Sequence, residues 1–229
     1  DSAGPGSHAK NPDYEAGWQL TKELDMPILD EHYYEPNDFF LNKRQYDSYP
    51  RGGKTKVYLG EYAAKDKKFI DALAEGLYLL HVERNADVVA MTSYAPLFAR
   101  KDGTQWNPDM IYYDNERPYL TCSYYVQQLF GQSSGNYWYG DCVKFEGDAP
   151  DAIQPMENVH YGQSVILNTK TRKLYVKLCN ASADAKKANI DLSRFGLKKM
   201  ATKTVLAGQP NDENNYDAQP IAPQKEQLI

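Results

Sequence analysis

Three short apolar runs set the frame for this chain. Residues 27–30, 56–60 and 86–93 are each rich in Val, Ile, Leu or Tyr, and each ends in polar residues. Between them the periodicity changes. In DKKFIDALAEGLYLLHVERN the apolar residues Phe69, Ile70, Leu73, Leu77 and Leu80 recur at spacings of three and four, and Asp66 stands where an N-cap is expected. NPDYEAGWQLTKEL, before the first run, reads the same way with Pro12 near its start. PNDFFLNKRQYDSY fits a helix less cleanly, and YLTCSYYVQQLFGQ is a further helix expected to stop at Gly131. Buried strands alternating with helices point to βα units and a parallel sheet.

The pattern changes near Ser133. SSGNYWYGD is turn-rich, and SVILNTKTRKLYVKLCN reads as two strands around a polar turn. Leu174, Val176 and Leu178 alternate with Tyr175, Lys177 and Cys179, which predicts one buried face. No helical period follows, and AGQPNDENNYDAQPIAPQKEQLI is expected to lie along a surface. The reading is therefore an α/β part over residues 1–132 and an all-β part over residues 133–229.

Composition removes several classes of function. The formal net charge is −5 with no long basic block, so nucleic acid is not an expected partner, because phosphate binding needs concentrated Lys and Arg. No apolar run approaches the roughly 18 residues of a membrane span, so no transmembrane helix and no membrane partner are expected. The three cysteines, Cys122, Cys142 and Cys179, lack metal-like spacing and are read as free buried thiols. GPGSHAKNPD lacks the glycine spacing and Lys-Ser/Thr ending of a phosphate loop, no serine sits in a nucleophile elbow, and no cofactor is expected. The 19 tyrosines offer flat apolar faces with hydroxyls, which suit sugars but also proteins and peptides. The chain does not begin with Met, so its N-terminus is expected to be processed or cut.

In a parallel α/β barrel, functional groups collect at the carboxyl ends of the strands. Here those ends carry Asp30, Glu31, His32, Tyr33 and Tyr34, then Glu61 and Tyr62, then Ser93 and Tyr94. Glu61 in KVYLGEYA is the sharpest candidate, since it follows a buried strand and a glycine that allows close backbone approach. A solvated strand-end carboxylate is the plain alternative, as structural hydrogen bonding is for the Asp30–Tyr34 cluster. Alternation sends Glu31 and Tyr33 away from Asp30 and His32, so these residues are not expected to gather around one metal ion. Asn180-Ala-Ser182 is a glycosylation sequon that matters only in a eukaryotic secretory route.

Several longer motifs agree in order and spacing with one family. ILDEHYY…PNDFF, KVYLGEYAA, ADVVAMTSYAPLFAR, WNPDMIYYDN, CSYYVQQLFGQ and VLAGQPNDENNYDAQPIAPQ resemble the α-L-arabinofuranosidases of glycoside hydrolase family 51 over nearly the whole chain. The resemblance implies an incomplete (β/α)8 barrel, about its last three strands, followed by a β-sandwich. It implies a retaining mechanism with two glutamates. Glu61 matches the nucleophile at the end of the seventh barrel strand. EHYY matches the sixth strand end, where Tyr33 or Tyr34 would hydrogen-bond the nucleophile with His32 nearby. WNPD matches the loop after the eighth strand, which makes Trp106 and Asn107 candidates for the sugar pocket. The family's Asn-Glu acid/base pair has no counterpart upstream of Met26, and SAGPG resembles the end of the fifth strand. The expectation is a C-terminal fragment, inactive alone, of an enzyme that releases terminal arabinofuranosyl units from plant glycans.

That expectation extends to an arabinose-containing glycan as substrate, to self-association into a homo-oligomer that covers open sheet edges, and to a periplasmic or extracellular location rather than a cytoplasmic one. A competing reading makes the chain a non-catalytic carbohydrate-binding or interaction domain built on the sandwich, with Tyr137, Trp138 and Tyr139 as its platform.

Overall fold

The computed structural model describes residues 4–5, 12–149, 152, 159–197 and 200–228. Its first half is wound in chain order. Strand β1 (Gly4–Pro5), helix α1 (Pro12–Glu23), β2 (Ile28–Glu35), helix α2 (Asn37–Asn42), β3 (Lys56–Ala64), helix α3 (Phe69–Arg84) and β4 (Val89–Thr92) follow one another. The four strands form one parallel sheet in the order β1-β2-β3-β4. Strands β2 and β3 run four or five residues beyond the apolar runs that announce them, because their parallel pairing continues to Glu35 and Ala64. The polar residues expected beyond the strand ends are therefore inside the ladder.

Helix α3 is buried almost all round, with Phe69, Leu77, Tyr78 and Leu80 at 2% exposure or less. A helix apolar on every side belongs between two layers. The sheet covers one side, and α4 (Cys122–Gln132) with two strands of the C-terminal half covers the other. Each such large side chain contributes about 1.5–3 kcal/mol of burial. Asp66 does not cap this helix. The helix begins later, and Asp71, at its third position, accepts the Lys68 N–H at 3.1 Å. The N–H groups of Phe69 and Ile70 donate to the carbonyls of Asp212 and Pro210, so the distant C-terminal segment satisfies the helix start. Helix α4 has Thr121 as its N-cap and runs one residue past Gly131.

Between β4 and α4 lies a small mixed sheet of β5 (Phe98–Arg100), β6 (Ile111–Tyr113) and β7 (Pro118–Leu120), with β5 and β6 parallel. After α4 come β8 (Tyr137–Tyr139), β9 (Val143–Phe145), β10 (Tyr161–Asn168), β11 (Lys173–Asn180), β12 (Ala188–Ile190), β13 (Ala201–Val205) and β14 (Gln224–Leu228). All pairs among them are antiparallel: β11-β10-β8, β12-β9 and β13-β14.

The predicted single buried face of β11 needs correction. Leu174 and Val176 pack on a small core with Val143 and Val165, but Leu178 is half exposed. The opposite face is covered too. Lys177 pairs with Glu83 beneath the Phe130 ring, and the Cys179 thiol reaches the Leu73 carbonyl. Thus β11 is sandwiched between the helical layer and the small β core. The three cysteines are unpaired, and burial pushes the thiols of Cys122 and Cys179 up to about 11 and about 12.

The segment 206–223 has no helix or strand, yet it is firmly held. Asn214 and Ile221 are both 1% exposed. Asn214 accepts from the Ile221 N–H and donates to the carbonyls of Ile221 and Leu120. The segment expected to follow a surface therefore returns to the α/β half and joins its core through Ile221.

Candidate active site

Residues i, i+2 and i+4 of a strand share a face. On β2 this puts Asp30, His32 and Tyr34 on one face of the sheet and Glu31 and Tyr33 on the other. On β3 the register decides where Glu61 goes. Leu59 pairs with Glu31, but His32 pairs with Glu61, so Gly60 is left as an extra residue in a bulge. If Gly60 paired with His32 instead, Glu61 would fall opposite Tyr33 and point toward the helices, since a one-residue slip reverses the face. Glycine leaves room there, because a Cβ on residue 60 would lie 2.0 Å from Asp30 Oδ1 and would force that carboxylate or the bulge to shift.

The bulge brings four groups together. The Tyr34 hydroxyl donates to Glu61 Oε2 at 2.7 Å. His32 Nδ1 lies 3.4 Å from the same oxygen, and His32 Nε2 lies 3.0 Å from Asp30 Oδ2. Asp30 and His32 side chains are 19% and 18% exposed, whereas Glu61 is 41% exposed. The carboxylate is thus presented to solvent on a shielded base. Burial first, then the hydrogen bond and charge of Glu61, raises the Tyr34 phenol well above its ordinary value, so it remains a donor. The Trp106 ring packs edge-on against Tyr34 with centroids 5.1 Å apart, and is itself half exposed.

Two candidate site residues bond to groups other than Glu61. Tyr33 is 2% exposed on the opposite face and donates to Glu31 Oε2 at 2.8 Å. Alternation allows only one of the two tyrosines onto the Glu61 side, and it is Tyr34. Glu31, at 1% exposure, also receives Trp18, Tyr46 and Tyr49, so it is a buried structural anchor. Burial raises its carboxyl, against the pull of those donors. Asn107 sits in the Trp106 loop, but both ends of its amide are engaged: Nδ2 donates to the Lys65 carbonyl at 3.2 Å and Oδ1 accepts from Tyr112. It fastens the loop to the end of β3. Asp30 was the residue missed by the sequence reading as a partner of His32, although its i, i+2 spacing carried the signal.

This arrangement supplies an exposed carboxylate oriented by a phenol and an imidazole, which suits nucleophilic attack on an electrophilic carbon. Among the described residues, no group of three or more His, Cys, Asp or Glu could hold a metal ion. The platform proposed for the C-terminal half does not form. Tyr137, Trp138 and Tyr139 lie in β8 opposite Leu167, Ile166 and Val165, so their rings alternate in direction, and Tyr139 packs inward on Phe195.

The model of the α-L-arabinofuranosidase C-terminal domain family matches residues 54–228. α-L-Arabinofuranosidase 2 of Arabidopsis thaliana is 32% identical over 91% of this chain and 31% of its own length. The extracellular exo-α-L-arabinofuranosidase of Streptomyces chartreusis is 43% identical over 54% of this chain and 15% of its own length. The chain thus spans less than a third of these relatives. The fold is similar to that of an arabinose-bound GH51 α-L-arabinofuranosidase, with a TM-score of 0.75 and 22% identity over 96% of this chain and 39% of that one. A family 51 enzyme from Bifidobacterium longum gives a TM-score of 0.65 at 15% identity, over 99% of this chain and 56% of that one.

Proposed function

Because the chain belongs to the α-L-arabinofuranosidase family and aligns with its C-terminal part, we propose that it is one portion of a retaining glycosidase acting on terminal α-L-arabinofuranosyl units. In this reading β1 to β4 are the last part of a (β/α)8 barrel within residues 1–132, and residues 133–229 carry the β-sandwich, apart from the strip that returns to α3. Glu61 is the nucleophile. Its carboxylate attacks the anomeric carbon and the glycan oxygen leaves. A carboxyl group from barrel strands outside this chain, roughly 5–5.5 Å away, protonates that oxygen and later activates water. Tyr34 and His32 orient Glu61, and Trp106 lines the sugar pocket.

The observation that supports this best is the hydrogen bond from Tyr34 to Glu61 across a bulge that turns the carboxylate outward. The substrate in this reading is an arabinose-bearing plant glycan such as arabinan or arabinoxylan, met outside the cytoplasm. The Streptomyces relative is named extracellular, and no described helix is long and apolar enough to cross a membrane. Open edges of the partial sheet favour self-association of the isolated chain. The test is Glu61→Ala in the full-length enzyme. Turnover of an aryl α-L-arabinofuranoside should fall by several orders of magnitude, with partial rescue by azide. Retention of more than about a tenth of the activity contradicts the assignment.

A further inference from the structure

A second concavity opens beside Trp106, away from Glu61. Its volume is about 540 Å³, and its wall includes Trp106, Gln105 and Lys101 from the loop after β5 together with Glu213, Asn215 and Tyr216 from the C-terminal segment. We propose that this cavity is a subsite for the neutral glycan chain that carries the arabinofuranosyl unit, and that Tyr216 of the C-terminal segment is a specificity-determining residue in it. The inference rests on the reading of Glu61 and Trp106 as the arabinosyl site, because Trp106 is common to both.

Four observations carry it. First, position: Trp106 packs on Tyr34, which bonds Glu61, so a saccharide in the cavity continues from a sugar at Glu61. Second, chemistry: the cavity combines aromatic rings with amide groups, the mixture that fits a sugar's C–H faces and hydroxyls. Tyr216 stands edge-on to Tyr119 at 4.7 Å, and Tyr119 stacks on Tyr112 at 4.9 Å. The Tyr216 hydroxyl is shielded from solvent with no hydrogen-bond partner among the described residues.

Third, charge: Lys67 lies 3.6 Å from Glu213 and over the Tyr112 ring, and Lys101 lies 4.5 Å over the Tyr216 ring. Lys67 is thus offset by Glu213 and Lys101 lies against a ring face, so the wall does not gather the several uncompensated cations that would select an acidic saccharide. Fourth, rigidity: the segment bearing Tyr216 is pinned at Asn214, at the start of α3, and by Arg117, which donates to the Tyr216 carbonyl at 3.1 Å. A preorganised wall loses little entropy on binding.

The test is direct binding to the 229-residue chain, independent of catalysis. Xylohexaose, 1,5-α-L-arabinohexaose and an oligogalacturonate are titrated while Trp and Tyr ring resonances are followed by NMR. At least one neutral oligosaccharide should bind and shift Trp106 and Tyr216 signals, and Tyr216→Ala should weaken that binding at least tenfold. Gln105→Ala, an exposed change that does not threaten folding, should weaken it by a smaller factor. Binding of neither neutral probe, tighter binding of the oligogalacturonate, or shifts that spare Trp106 and Tyr216 would overturn the proposal. Tyr216-dependent binding alongside a fully active Glu61→Ala enzyme would keep the glycan site and refute the reading of Glu61 instead.

Discussion

The Tyr34 hydroxyl lies 2.7 Å from Glu61 Oε2, and the two residues are on neighbouring parallel strands. A hydrogen bond to a charged group contributes about 1.5–3 kcal/mol, which corresponds to roughly 10–100-fold in rate if it acts in the transition state. Tyr34→Phe in the full-length enzyme should therefore lower kcat by about that factor, with a smaller change in KM. Equal kinetics for the variant and the native enzyme would show that the phenol only fills space.

The bulge at Gly60 gives a second expectation. Gly60→Ala places a methyl group against the Asp30 carboxylate, so either Asp30 moves or the bulge flattens. Stability should drop by about 1–3 kcal/mol and activity should fall with it. Gly131→Ala is the control. It lies within α4 with nothing within 4 Å of the added carbon, so it should be neutral or add up to about 1 kcal/mol. Urea midpoints of both variants decide this. A neutral Gly60→Ala would mean the bulge is not held by that contact.

These residues also show what sequence could and could not reveal. The 3.6-residue period of α3 and the apolar starts of β2 and β3 were legible because they report local burial. That Asp30 and His32 share a face was legible from strand alternation, but which of Tyr33 and Tyr34 joins them at Glu61 was not. The bulge was not, because it is a property of pairing between strands 28 residues apart at Asp30 and Tyr58. Strands β5, β6 and β7 have three residues each, too short to show a period. The return of residues 206–223 to α3 depends on carbonyl positions that side-chain identity does not encode.

Glu75 supplies a pH dependence. It is fully buried on α3, accepts the Ala64 N–H at 2.9 Å at the end of the strand that carries Glu61, and is pushed by burial up to about 8 from an ordinary 4.5. A raised carboxyl means that the folded state holds the proton more tightly than the unfolded state. Its stabilising share is complete below about pH 4.5 and is lost as pH rises to about 8, by on the order of a few kcal/mol. Glu75→Gln keeps an acceptor for Ala64 without ionising. Denaturation midpoints between pH 5 and 8 should decline less steeply in this variant. An unchanged slope would place the effect on other buried carboxyls, such as Glu31.

The isolated 229-residue chain should not hydrolyse an aryl α-L-arabinofuranoside at a rate near that of the full-length enzyme. General acid help is worth about 10²–10⁴-fold, and part of the substrate wall is assigned to strands beyond this chain. An assay of both proteins side by side checks this, and comparable turnover would show that a carboxyl within the chain serves as the acid.

The most direct test of the central claim, that Glu61 attacks the sugar, is covalent trapping. The full-length enzyme is incubated with an activated aryl 2-deoxy-2-fluoro-α-L-arabinofuranoside, digested, and its peptides are sequenced by mass spectrometry. The predicted result is a single fluoroarabinosyl group esterified to Glu61 in the KVYLGEYA segment. A stable sugar ester on any other carboxylate, with Glu61 unmodified, would contradict it.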